Sequence, residues 1–77
     1  MTIHQLAETM DTVDKEKMLE LYKTKYIAAS QQALFLIWMR YTGQTENLSC
    51  SKCRSRLMTT ISKFLTIVRN AESENTN

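Results

Sequence analysis

Ala33-Leu34-Phe35-Leu36-Ile37-Trp38-Met39-Arg40-Tyr41 is the most apolar stretch of this chain, and the sequence on either side of it is mixed or polar. The fold is organised around it. On a helical wheel, the segment from Asp14 to Tyr41 reads as one long central helix carrying two apolar stripes, where an ordinary surface helix carries one. The first stripe runs through Leu19, Tyr26, Ala33, Ile37 and Tyr41, with Ile27, Leu34 and Trp38 widening it. The second lies nearly opposite, through Leu21, Ala28, Phe35 and Met39, flanked by Leu36 and interrupted by Gln32. A helix apolar on two sides needs two surfaces to pack against. The rest of so short a chain supplies one, and the alternative is that its other short helices cover both, as in small bundles.

Working outward toward the C-terminus, Tyr41-Thr42-Gly43 ends the helix at the only glycine in the sequence, the residue suited to a left-handed C′ position. Gln44 to Ser49 is a polar connection with one apolar residue, Leu48, expected to tuck under the turn. Ser49, or else Asn47, is the expected cap of a last helix over Cys50 to Ala71, and so short a connection predicts antiparallel neighbours. That helix is cleanly amphipathic. Cys50, Cys53, Leu57, Ile61, Phe64 and Val68 recur at spacings of three and four, while Lys52, Arg56, Thr59, Lys63, Thr66 and Asn70 occupy the other side. Residues 72 to 77 offer nothing to bury and are expected to form a frayed, disordered tail.

Toward the N-terminus, Thr2-Ile3-His4-Gln5 has the form of a capping box and predicts a short helix to Met10. Asp11-Thr12-Val13-Asp14 supplies cap candidates and first-turn acids for the next helix, so a break is placed there. With no proline, one glycine and many helix-forming residues, the class is all-α: a short N-terminal helix, a long central helix and an antiparallel C-terminal helix, in a single domain over residues 1–71. A domain of this size has a marginal core, which favours an oligomer.

Charge is unevenly distributed. Residues 1 to 20 carry five acids and two bases, whereas residues 21 to 70 carry eight bases and one acid, Glu46. The longest apolar run, Ala33 to Met39, is far short of the roughly 18 to 20 residues of a membrane-spanning helix, and no secretory signal is apparent. A cytoplasmic, reducing setting without a membrane is therefore the expectation.

Only Cys50-Ser51-Lys52-Cys53 has recognisable chemistry, and it has three readings. Packing comes first, because both cysteines fall in register with Leu57 and Ile61. As a zinc half-site the pair lacks two ligands, since His4 is the only other nitrogen ligand, so a four-cysteine site would have to be shared between two protomers. As a redox pair it has a favourable setting in the helix dipole, Lys52 and Arg54, but no alternating strand and helix pattern around it. No triad, paired carboxylates or phosphate-cradling glycines can be assembled, so an enzyme is not expected and no cofactor is required.

Trp38-Met39-Arg40-Tyr41-Thr42-Gly43, a polar gap, and then Cys50-Ser51-Lys52-Cys53-Arg54 with its amphipathic helix resemble a pattern in short proteins and protein tails encoded by tailed bacteriophages, over residues 38 to 68. The resemblance implies a phage-encoded accessory protein, in the virion or in the host cytoplasm during infection. On the residues alone, the expected function is a non-enzymatic interaction module. Leu21, Ala28, Phe35, Leu36 and Met39 would meet a second copy or a larger host or virion complex. The rival is a nucleic-acid-binding regulator using Lys52, Arg54, Arg56 and Lys63.

Overall fold

The computed structural model describes residues 2–75, and among them it is all-helical: α1 (Ile3–Thr9), α2 (Thr12–Lys23), α3 (Ala28–Thr42) and α4 (Ser51–Asn75). The first boundaries follow from local chemistry. Thr2 and Gln5 exchange the two hydrogen bonds of a capping box, Gln5 N–H donating to Thr2 Oγ1 at 3.2 Å and Thr2 N–H to Gln5 Oε1 at 3.0 Å. Asp11 caps α2 by accepting from the Val13 N–H. Gly43 closes α3 at φ 70°, its N–H donating to the Met39 carbonyl at 2.8 Å.

The long central helix does not exist as one element. It breaks at residues 24–27, where Thr24, Lys25 and Ile27 donate backbone hydrogen bonds to carbonyls only three residues back. The local reason is a cluster of residues with weak helix preference, Thr24, Tyr26 and Ile27, with no good helix former among the apolar ones. Thr24 Oγ1 adds the tertiary reason, reaching across the turn to Ser30 Oγ at 2.8 Å. The break folds α2 back on α3 as an antiparallel pair. At its far end Asp14, in the first turn of α2, accepts from Arg40 Nη2 at 3.3 Å and from the Tyr41 hydroxyl.

α4 is not the antiparallel neighbour of α3 that a short connection predicts. Arg54 shares a surface depression with Ala28, Gln31 and Phe35, in the first half of α3, whereas Thr60 shares one with Tyr41 and Thr42 at its end. The two helices therefore progress in the same sense. Residues 43–49 make this possible by running back along α3: seven residues reach at most about 23 to 25 Å, and a fifteen-residue helix is about 22 Å long. Leu48, near the end of this return, packs against the core. α1 lies against α4, joining the first helix to the last.

Leu6, Met10, Met18, Leu34, Phe35, Ile37, Trp38, Leu57, Ile61, Phe64, Leu65 and Val68 form the core. Trp38 meets Phe64 edge to face with ring centroids 5.1 Å apart, and among the described residues its buried indole N–H has no hydrogen-bond partner. Tyr22 ties α2 to α4 by donating to Ser62 Oγ at 2.9 Å. α4 continues to Asn75, so the tail expected from residue 72 is helical to that point; Thr76 and Asn77 lie outside the described residues, as does Met1.

Candidate partner-docking surface

The break at 24–27 rewrites the two stripes. Leu19 and Leu21 belong to α2, so only residues from Ala28 onward share one helical wheel. On that wheel the buried residues Ile37, Leu34, Trp38 and Phe35 span one continuous arc of roughly 160°. Leu34 and Trp38 flank its centre. The inner edges of both predicted stripes are thus consumed by one core, and what remains outside is a narrower strip.

The five residues expected to meet a partner have separate fates. Phe35 is 1% exposed and belongs to the core, so it is corrected from partner contact to internal packing. Leu21 and Met39 are half-buried against the same core, and Ala28 is exposed at the start of α3. Leu36 alone among them is a large apolar residue open to solvent, at 53%. Sequence reasoning missed Tyr26 and Ile27, which it assigned to the internal stripe. Tyr26 is 90% exposed and Ile27 is exposed beside it, because both sit in the break and not in a helix. Their signal was the weak helix preference of residues 24–27. Tyr26, Ile27, Ala29 and Leu36, with Gln32 and Arg40, leave the outer side of α3 and the turn before it largely apolar and uncovered.

Lys52, Arg56 and Lys63 are exposed along one side of α4, and among the described residues they pair with no carboxylate. Arg54 is not part of that row. It is half-buried and donates to the Leu48 carbonyl at 2.5 Å, pinning the returning connection to α4.

Cys50 precedes α4, and its thiol takes the cap position expected of Ser49. Cys50 Sγ accepts from the Cys53 N–H at 3.2 Å, and the Cys50 carbonyl accepts from the Arg54 N–H. Asn47 organises the turn before it, accepting from Ser49 N–H with its side chain and from Cys50 N–H with its carbonyl. Both thiols are free and half-buried. Contact with the Cys53 thiol and backbone N–H lowers the Cys50 pKa, and the same contact, together with burial, raises that of Cys53. Among the described residues no three His, Cys, Asp or Glu side chains converge, and no helix is long and apolar enough to cross a membrane. No family model, curated protein or solved structure matches the chain.

Proposed function

We propose that this chain is a small non-enzymatic helical interaction module that binds protein through the outer side of α3, either a second copy of itself or a larger complex. The observation that carries this reading is the placement of Tyr26, Ile27 and Leu36 in solvent on a domain whose other large side chains mostly pack internally. Aromatic and aliphatic side chains at such a patch gain most when a partner removes them from water. The resemblance over residues 38 to 68 supports a phage-encoded accessory or assembly protein, acting in the host cytoplasm or within the virion.

Sedimentation velocity over a concentration series, on the wild type and on Leu36→Glu and Tyr26→Glu, tests the proposal. Both positions are exposed, so each variant keeps its helicity while the associated species, or the complex isolated from the native host or virion, is lost. A wild type that stays monomeric, with no complex that responds to either substitution, overturns it.

A second reading rests on the row Lys52, Arg56 and Lys63, which pairs with no carboxylate among the described residues and whose spacing tracks one side of α4. In that reading the row contacts nucleic-acid phosphates, and binding falls steeply with salt through counterion release. Association through the α3 patch would be little changed or strengthened by salt. A titration of duplex DNA, single-stranded DNA and RNA against wild type and the triple Gln variant at two salt concentrations separates the two.

A further inference from the structure

We propose that Cys50 and Cys53 form a dithiol–disulfide pair that exchanges with small anionic disulfides of the glutathione class, Cys50 attacking and Cys53 resolving. The placement of the two residues makes the bond reachable. Within a regular helix, side chains three apart hold their Cβ atoms about 5 to 6 Å apart, wider than the about 3.5 to 4.5 Å of a disulfide. Cys50 escapes that limit because it stands outside α4, in the cap position, with its Sγ folded over the first turn onto the Cys53 N–H at 3.2 Å. The chain is held there by the Asn47 turn before it and by the Arg54 N–H after it. No backbone rearrangement is needed to bring one sulfur over the residue that carries the other.

The two sulfurs are not equivalent. Cys50 receives the backbone N–H, lies at the positive end of a 25-residue helix and feels Arg56, all of which favour its thiolate. Cys53 is shifted the other way, its pKa raised by its contact with Cys50 and by burial. Beside the pair, exposed Lys52 and Arg56 line an open shallow surface with Ser51 and Ser55. That cationic margin selects a disulfide carrying carboxylates over a neutral one.

The exchange balances as follows. The Cys50 thiolate attacks one sulfur of the small disulfide, forming a Cys50 mixed disulfide and releasing one small thiolate, which takes a proton from solvent. Cys53 then loses its proton and attacks the Cys50 sulfur, forming the Cys50–Cys53 bond and releasing the second small thiol. Two protein thiols are oxidised and one small disulfide is reduced to two thiols.

The full chain is equilibrated in graded mixtures of reduced and oxidised glutathione, quenched in acid, alkylated and weighed intact. One intramolecular disulfide forms in the wild type. Cys53→Ser accumulates the Cys50–glutathione adduct, and Cys50→Ser reacts at least about tenfold more slowly. Serine is a strong cap, so Cys50→Ser retains the fold, which far-UV circular dichroism checks. Lys52→Gln with Arg56→Gln slows reaction with glutathione disulfide but not with neutral hydroxyethyl disulfide. Thiols that stay reduced at every ratio, bonds that form only between chains, or equal reactivity of the two single variants would overturn the assignment.

Discussion

Leu36 and Ile37 are adjacent in sequence and similar in volume, yet the structure assigns them opposite surroundings, and truncating each to Ala measures the difference. Ile37 is 7% exposed and Leu36 is 53% exposed. Removing the Ile37 side chain beyond Cβ leaves a hole in a core that also buries Trp38, Phe64 and Ile61, a loss of about 2 to 5 kcal/mol. At about 0.05 to 0.15 kcal/mol per residue the whole domain is worth about 4 to 12 kcal/mol, so this one change removes a large part of it. Leu36 retains half its exposure and buries correspondingly less, so Leu36→Ala costs about 1 kcal/mol. With about 4 to 8 °C per kcal/mol in a domain of this size, the two melting temperatures separate by roughly 4 °C at the least and more than 20 °C at the most. Urea and thermal unfolding followed by circular dichroism should be run at several protein concentrations and extrapolated to dilution, because association would add to the apparent stability of Leu36. Equal losses for the two variants in the dilute limit would mean that α3 is rotated from the arc described, and the assignment of its outer side would fall with it.

Phe35→Glu places a charge in the core and should unfold the chain outright, whereas Leu36→Glu leaves far-UV circular dichroism near wild type; a folded Phe35→Glu would return Phe35 to the exposed side. Gly43→Ala should lower stability by about 1 to 2 kcal/mol in urea titration, because the backbone sits at φ 70° although a Cβ there meets nothing within 4 Å. The Tyr41 pKa is raised by its hydrogen bond to Asp14, so the neutral phenol is favoured in the folded state. That contribution is fully present below the ordinary tyrosine value of about 10 and is lost as pH rises through the higher folded value. Tyr41→Phe should therefore melt below wild type at neutral pH, with the gap closing under alkaline conditions. A gap that does not change with pH would count against the bond.

What was legible in the sequence is what depends on neighbours in the chain. The Thr2–Gln5 box, the Asp11 cap and the left-handed Gly43 are each local exchanges of one or two hydrogen bonds, and each is found as expected. Likewise Leu57, Ile61, Phe64 and Val68 are buried as their spacing requires. The break at 24–27 was marked only by the weak helix preference of Thr24, Tyr26 and Ile27, because no Gly or Pro stands there and part of its support, Thr24 to Ser30, forms only once α3 has turned back. The misplacements on the outer side of α3 descend from that one. With the helix continuous, Phe35 falls on a second stripe and Tyr26 on the first; with it broken, Phe35 enters the core and Tyr26 leaves it. The direction of α4 was equally hidden, since a polar connection of this length can either turn sharply or run back the length of a helix. Cys50 was passed over as a cap because sulfur is an uncommon acceptor beside the hydroxyl of Ser49.

The returning connection also bears on the order in which the molecule assembles. α2 and α3 meet across a turn of four residues, so their pairing closes a small loop and is available early. The Tyr22–Ser62 bond joins residues forty positions apart, and α1 reaches α4 across nearly the whole sequence. Those contacts must wait for the connection to straighten along α3 and deliver α4. Trp38, the sole tryptophan, faces Phe64 of α4 and so reports that delivery by its fluorescence. Stopped-flow refolding should show helical signal gained no later than the tryptophan signal, and destabilising changes at Phe64 should slow folding less than they speed unfolding. The opposite partition would place the docking of α4 before the hairpin.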